Sequence, residues 1–581
     1  MTTSQETLVI GYKRFIYGHA LSFTEQPYLE ELFTAVRNKK KPVTLVMGAG
    51  VSMNAGLRSW RDLIKYMTYQ IHDDNKAGQD DVNELNHRLQ EMLREDQSDL
   101  MRKAEIVLQL VKDRKRSRPE HQIICDALYQ ADLLDTPGPL AMSIARFVRA
   151  RDRDVRVVTT NFDTLVEEAL KRVLGRSQVR SYSLDRADVW QESLRTGTPE
   201  QRKVGVLHLH GIIERAKPAK GPIVLTESQF FKHGATVRRV LFETLADSCS
   251  IFVGLGMSDP NLIGPLYEMK NTRNRNLRFA LVVPQDAPGA QDELDSAYYA
   301  VESAKSLENE LGLKTVLLNS YSQLNQVLAD LSLAIVEPDR YDIQAANRPD
   351  TLVYVKRHAR VLDECYSAIG CDNSEQTPVK GSADALSEKL HTALHARNGP
   401  LDLLRTFVDP TRMGELGSSE GENFALFLWL RSRQRPKTEP SYALRLVGTS
   451  AYVYREEWAA RHHQTVIARH STSLAASAVF NGNAQVGPAL EPPWKGIFAV
   501  PIVVGSSGSD EMIGKYPADV LTIGAITLNS TYEVPTKGDD APYEGAVQQS
   551  SVMCELDAHA TSKLAQLLQN TAIDILWPRA P

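Results

Sequence analysis

Residues 43–60 read VTLVMGAGVSMNAGLRSW. A β-branched apolar run, Val43 to Met47, passes directly into Gly48, Ala49, Gly50 and Ser52. That order predicts a buried strand ending in a tight turn, and a glycine turn at a strand end lets backbone approach a phosphate group, with the following amides facing its charge at a helix start. The spacing is not that of the common dinucleotide fingerprint. Gly56 stands six residues after Gly50 where that pattern needs three, and no acidic residue closes a second strand about 20 residues later. Taken alone, the turn serves equally well without a ligand.

Outward from this stretch, short apolar runs bounded by turn residues recur at Val155 to Thr160, Val204 to Leu209, Ser250 to Val253, Phe279 to Val283 and Thr315 to Leu318. Continuous runs of this kind suit a parallel sheet covered on both faces. A helical block from Asp62 to Ala150, with helical apolar spacing in LIKYM and AEIVLQLV, is expected to cap one end of that sheet. The resulting organisation is an N-terminal arm over 1–40, an α/β unit with a Rossmann-like parallel sheet over 41–335 whose insertion spans about 62–150, and a polar linker, VEPDRYDIQAANRPD, over 336–350.

Residues 351–581 change character. Helical stretches at Leu352 to Ala368 and Ala383 to Ala396 precede three strand candidates, SYALRLVGTSAYVY, WKGIFAVPIVVG and DVLTIGAITLNSTY, spaced as in an antiparallel sheet. The stretch GSSGSDEMIGKYPAD reads as a loop between the last two. In the closing segment SKLAQLLQNTAIDIL, Leu564, Leu567, Leu568, Thr571 and Ile575 share a helical face. This predicts an α+β domain whose final helix docks on its sheet.

Composition narrows the function classes. With 42% hydrophobic and 24% charged residues, the 581-residue chain has the makeup of globular domains with full cores. A net charge of −5 gives no broad basic footprint for nucleic acid, and no direct nucleic-acid binding is expected. The apolar run near the start is broken by Gly11, Lys13 and Arg14, and no run of about 20 apolar residues follows anywhere, so a cytoplasmic protein without a membrane segment is expected. Cys125, Cys249, Cys365, Cys371 and Cys554 form no CxxC pair, which argues against a disulfide framework and a structural zinc site.

Chemistry-bearing residues gather at the predicted strand ends. The second strand runs into Thr159, Thr160, Asn161, Phe162 and Asp163. The next ends in His208 and His210, two residues apart on one strand face, followed by Gly211. The fourth runs into Gly254, Gly256, Ser258 and Asp259. Each has a bland alternative: Asn161 to Asp163 as an Asx-turn and helix cap, His208 as a structural imidazole, Trp60 as core or cap packing, SDPN as a type I turn. Their joint order on successive strand ends is the stronger observation.

That order, GAG, TTNFD, LHG and GxGxSDPN, resembles the sirtuin fold family, in particular its bacterial defence-associated branch, over roughly Lys41 to Tyr321. The resemblance implies NAD as substrate, with Gly48, Ala49, Gly50, Ser52 and Thr160 in the cofactor site, Asn161 and His210 as the catalytic pair and Asp163 supporting them. It also implies Gly254 and Gly256 in the site, and Ser258 and Asp259 on the adenosine side. Two departures matter. The four-cysteine zinc module of the family's protein deacetylases is missing, and their proline and DFR after the glycine loop are replaced by Arg58, Ser59, Trp60 and Arg61, of which only the last matches. Deacetylation is therefore not expected, and no metal is. The same features look like the branch that hydrolyses NAD and starves an infected cell. Cleaving nicotinamide from ribose leaves positive charge on the sugar, as in glycoside hydrolysis. Asn161 can hold a ribose hydroxyl or the attacking water, and His210 can take a proton from either.

The succession STSLAASAVFNGNAQVG, GIFAVPIVVG and LTIGAITLNS resembles GAF domains, which commonly bind small molecules or nucleotides and pass a signal to an attached effector, with a purely structural or dimerising domain as the alternative. The expectation is an antiphage NAD glycohydrolase working as a homo-oligomer. Its C-terminal half would answer to a small-molecule or protein trigger, phage-derived or operon-encoded. The competing expectation is a module that senses NAD or ADP-ribose with negligible turnover.

Overall fold

The computed structural model describes residues 28–576 apart from 39–40, 54, 56, 70–99, 115–118, 130–136, 197–201, 216, 258, 271–275, 284–292, 319–320, 337–352, 372–379, 408–412, 414–420, 433–442, 452–463, 468–470, 490–492, 505–520, 535–550, 555 and 557. Most of the expected arm, the linker beyond Val336, Ser258 and the loop at 505–519 thus lie outside the described residues.

The first unit opens with α1 (Leu29–Arg37), β1 (Val43–Met47), α2 (Gly50–Met53), α3 (Trp60–Tyr69), α4 (Leu100–Arg114), α5 (Glu120–Leu128) and α6 (Pro139–Ala150). It continues through β2 (Val155–Thr159), α7 (Leu165–Leu174), β3 (Val179–Ser183), α8 (Ala187–Arg195), β4 (Val204–His208), α9 (Glu227–Leu245) and β5 (Cys249–Val253). It ends with α10 (Pro260–Lys270), β6 (Arg278–Val282), α11 (Glu293–Leu311), β7 (Lys314–Leu317) and α12 (Ser322–Val336).

The strands form one seven-stranded parallel sheet in the order β3-β4-β2-β1-β5-β6-β7. This is a Rossmann-like α/β architecture. The order reverses at β1, which pairs with β2 on one side and β5 on the other, and in open parallel sheets ligands bind outside the strands' carboxyl ends at such a point. Both faces are covered. Leu45, Met47, Val157 and Ile251 pack with α6 and α12, while Val46, Val158, Leu207 and Phe252 face α8, α9 and α10. β3 is an addition to the sequence expectation: as an edge strand, VRSYS carries the exposed Arg180 and two serines and so lacks a continuous apolar run.

The helical block between β1 and β2 divides. α3, α4 and α5 build a core of their own with Phe162, Leu165, Ile213 and Leu225, which lie just beyond β2 and β4 or further into the same loops. They roof the carboxyl end of the sheet. α6 belongs to the sheet layer instead, its Leu140, Ile144, Phe147 and Val148 buried with β1 and β2. The expected cap over 62–150 is therefore shorter at its C-terminal end, because α6 supplies the crossover that a parallel β1–β2 pair needs.

The second unit contains α13 (Val353–Ala368), α14 (Lys380–His395), α15 (Pro400–Phe407), β8 (Phe424–Arg431), β9 (Ala443–Thr449), β10 (Gln464–Val466), α16 (Leu474–Asn481), β11 (Gln485–Pro488), β12 (Gly496–Val504), β13 (Leu521–Ser530) and α17 (Ala558–Leu576). Its antiparallel sheet runs β10-β9-β8-β13-β12-β11, three strands more than expected. The central β8, FALFLWLR, is buried on both sides: Leu426, Leu428 and Leu430 face α13, α14 and α17, and Phe427 packs edge-on to Trp494 on the other side. The buried stripe of α17 is Leu564, Leu568, Ala572, Ile575 and Leu576, whereas Leu567 and Thr571 are only partly covered, so the docking face is rotated from the one expected. Among the described residues no helix is long and apolar enough to cross a membrane.

The two units share a core. Leu324, Val327, Leu328 and Leu331 of α12 pack on α6 and, in the same cluster, with Leu444, Ala475, Val479, Phe480 and Ala525 of the second unit. The Tyr321 and Phe480 rings meet edge to face at 6.4 Å.

At the reversal point the turns after β1 and β5 lie backbone to backbone. Gly50 N donates to Gly254 O at 3.0 Å, and Gly254 has φ +66°. A Cβ on Gly254 would stand 2.9 Å from Val51 N, and one on Gly50 would stand 2.8 Å from the Gly254 Cα. Gly254→Ala adds left-handed strain of about 1–2 kcal/mol to that clash. Thermal unfolding should therefore show a loss of about 2 kcal/mol or more for Gly254→Ala. Gly381→Ala, where a Cβ meets nothing within 4 Å, should be neutral or stabilising.

Candidate active site

Parallel pairing brings Met47, Thr159, His208 and Val253 into one row at the end of their strands. The next residues continue the ladder for one step: Gly48 N donates to Val253 O, Thr160 N to Met47 O and Leu209 N to Thr159 O. Beyond that row, Phe162, Leu165, Ile213 and Leu225 pack against the α3–α5 roof.

The glycine turn is held by its own bonds. Gly48 and Gly50 donate to Val253 and Gly254, and Val51, Ser52 and Met53 donate to Gly48 and Ala49. These amides are engaged within the protein. The following helix α2 has only four residues. The glycines are required first because two backbones touch.

Ser52 links the first two loops. Its hydroxyl accepts from Asn161 Nδ2 at 2.9 Å. Asp163 Oδ1 accepts from Leu165 N at 3.1 Å and so caps the start of α7. Burial pushes the Asp163 pKa up, against the pull of Ser52 and the Leu165 amide. The Asx-turn and the site readings of Asn161 and Asp163 therefore coexist. With Nδ2 bound to Ser52, Asn161 keeps its carbonyl oxygen for an incoming donor.

His210 is 5% exposed, with its ring edge-on to Phe230 at 5.2 Å and Nε2 3.3 Å from Asp259 Oδ2 but outside hydrogen-bond geometry. Gly211 follows at φ +97°, where a Cβ would stand 2.6 Å from Pro222 O, so the sharp exit after His210 depends on glycine. Asp259 caps α10 through Asn261 N at 2.9 Å. Asp259, expected on the adenosine side, stands 3.3 Å from His210. Within that turn Met257 has φ 51°, a strained value for a residue with a side chain, and Gly256 is exposed. Ser258 lies outside the described residues.

The structure thus gathers Gly48, Ala49, Gly50, Ser52, Thr160, Asn161, Asp163, His210, Gly254 and Asp259 at one end of the sheet. It adds residues that the sequence analysis passed over. Phe230 touches His210 and stacks on Trp60 at 5.8 Å. Among the described residues, the buried Trp60 Nε1, His210 Nε2 and Asn261 Nδ2 have no hydrogen-bond partner, and such groups are suited to meet a polar ligand. Glu167 is fully buried on α7 between Val166 and Ala169, and an ionisable residue inside an apolar stripe was the available signal. Its Oε1 stands 2.7 Å from His208 Nε2 and accepts from Ser181 Oγ at 2.7 Å. Among the described residues no group of three or more His, Cys, Asp or Glu side chains is placed to hold a metal ion.

A doubly covered parallel sheet with these loops at its reversal point defines a class, and a family comparison agrees: residues 155–307 match the SIR2-like domain. That match begins at β2, so the glycine turn enters the site through the β1 pairings and not through the matched segment. Among individual proteins, the chain is 25% identical over 289 residues to the NAD(+) hydrolase ThsA of Bacillus cereus (strain MSX-D12), covering 48% of this chain and 52% of that one. The chain spans about half the length of the relative it matches.

Burial opposes charge on His208, but the Glu167 carboxylate and the Asn161 carbonyl outweigh it and raise the pKa. Burial likewise opposes charge on Glu167, and His208 with Ser181 lowers its pKa. The raised His208 contributes stability that is full below its unfolded value of about 6.5 and is lost as pH rises through the folded one. The depressed Glu167 contributes stability present above about 4.3 and lost as pH falls through its folded value. Glu167→Gln should therefore cost most, about 3–5 kcal/mol, between roughly pH 4.5 and 6.5, with the deficit shrinking at alkaline pH in urea unfolding series.

Proposed function

We propose that this protein is an NAD glycohydrolase, releasing nicotinamide and ADP-ribose, and that it acts as a cytoplasmic antiphage effector. The observation that carries the reading is the placement of Asn161 and His210 just beyond the adjacent strands β2 and β4, with Asp259 3.3 Å from His210, within the segment that matches the SIR2-like domain. The similarity to a protein named as an NAD(+) hydrolase supports the choice of substrate.

The chemistry follows from what each group can do. The transition state carries positive charge on the ribose, so the protein must orient the sugar and direct water to it. Asn161 does the orienting through its free carbonyl oxygen, its amide nitrogen being anchored on Ser52. His210 accepts the proton released by water or by a ribose hydroxyl, and the Asp259 carboxylate at 3.3 Å stabilises the imidazolium that forms. Trp60 and Phe230 provide an aromatic wall beside that centre.

Turnover is measured by following nicotinamide release from NAD by purified protein. Asn161→Ala and His210→Ala should each lower kcat by about 10²- to 10⁴-fold with the thermal transition retained. Wild-type rates in folded His210→Ala would remove His210 from the mechanism.

Control by the C-terminal unit completes the reading. The unit is GAF-like, a homo-oligomerisation and sensing domain for a small-molecule or protein trigger, phage-derived or operon-encoded. The protein engages neither membrane nor nucleic acid. The support is mechanical. α12 packs on the second unit and on α6, and α6 packs on α2, which carries Ser52. A trigger that binds one arrangement of the units more tightly can bias this contact and so the site. A chain ending near Asp350 should differ from the full chain in oligomeric state and in NAD turnover, with and without lysate from infected cells. Identical behaviour in all samples would sink the regulatory reading.

A further inference from the structure

His208, which the sequence analysis read as a structural imidazole, contacts the main chain of Asn161 directly. Its Nδ1 lies 2.8 Å from the Asn161 carbonyl oxygen, which can only accept, so Nδ1 carries a proton. Its Nε2 faces Glu167 Oε1 at 2.7 Å, with Ser181 Oγ bound to the same oxygen. The other half of the Asn161 main chain is also held, its N–H donating to Thr159 Oγ1 at 3.0 Å. Thr159 and His208 are register partners on the adjacent strands β2 and β4. With Nδ2 on Ser52, three different side chains hold Asn161, and His208 and Glu167 are both fully buried.

We infer that His208, oriented by Glu167, is a positioning residue for the NAD chemistry: it sets the orientation of the Asn161 peptide and thereby of the amide that holds the ribose or the water. The inference rests on the reading of Asn161 as the working residue. His208 touches neither substrate nor reacting atoms in this role. Ordinary core packing requires only that the volume be filled and the polar atoms satisfied, whereas positioning requires a donor at the place of Nδ1.

Two substitutions separate these. In His208→Asn the side-chain amide nitrogen takes the place of Nδ1 and retains the bond to the Asn161 carbonyl. In His208→Gln it reaches toward the place of Nε2 and Glu167, and the carbonyl bond is lost. Circular dichroism and thermal unfolding first establish that both variants are folded at the assay temperature. His208→Gln should then lose roughly 10- to 100-fold in kcat with KM for NAD unchanged, while His208→Asn keeps kcat within a few-fold of the wild type. The backbone amide resonance of Phe162, the N–H of the peptide whose carbonyl His208 binds, should move in His208→Gln and much less in His208→Asn. Equal kcat in the two variants, whether both normal or both impaired, overturns the positioning role. If the wild type releases no nicotinamide, the enzymatic reading fails, and the Phe162 resonances alone then decide whether His208 orients that peptide.

Discussion

Two turns touch backbone to backbone at the centre of the sheet, and the site is built around that contact. β1 lies between β2 and β5, so the turns leaving β1 and β5 leave side by side. They fit only because Gly48, Gly50 and Gly254 carry no Cβ, and a hydrogen bond from Gly50 to Gly254 holds them together. The clamp fixes Ser52, and Ser52 holds the Asn161 side chain. Glycines in this turn are thus tied to the arrangement of protein loops before any ligand arrives.

Around the clamp, polar groups divide into a bonded network and single atoms left with capacity. Glu167, His208, Ser181 and the Asn161 main chain form one buried hydrogen-bonded network in which Glu167 Oε1 is engaged twice and Glu167 Oε2 has no partner among the described residues. His210, Asn261 and Trp60 also retain buried atoms without partners among the described residues. Bonded side chains that hold Asn161, together with groups that keep unused donors and acceptors, are what preorganised chemistry needs. The shared core through α12 ties this arrangement to the C-terminal sheet, so displacement of one unit strains the packing of the other.

The legibility of the fold followed burial. Strands covered on both faces, such as Val43 to Met47, are written as unbroken apolar runs and their ends were readable to within a residue or two. β3 was not, because an edge strand shows one wet face and VRSYS carries arginine and serines. β8 was passed over for the opposite reason: the apolar FALFLWLR shows no period of either kind, and a run of that length does not distinguish strand from helix. In α17 the helix was legible but its buried face was not, since Leu567 and Leu568 are equal candidates until the sheet beneath selects one.

By itself the sequence determined the parallel α/β class, the places where strands end and the polar residues standing there, because alternation, β-branching and glycine act over a few residues at a time. Which of those residues meet was decided only in three dimensions. His208 and Glu167 are 41 positions apart and pair because β4 inserts beside β2, above the start of α7. Asp259 reaches His210 because the turn after β5 folds back over the sheet end. Strand order is set by how the helices pack to bury both faces at once, a collective property of the packed chain that no local stretch carries.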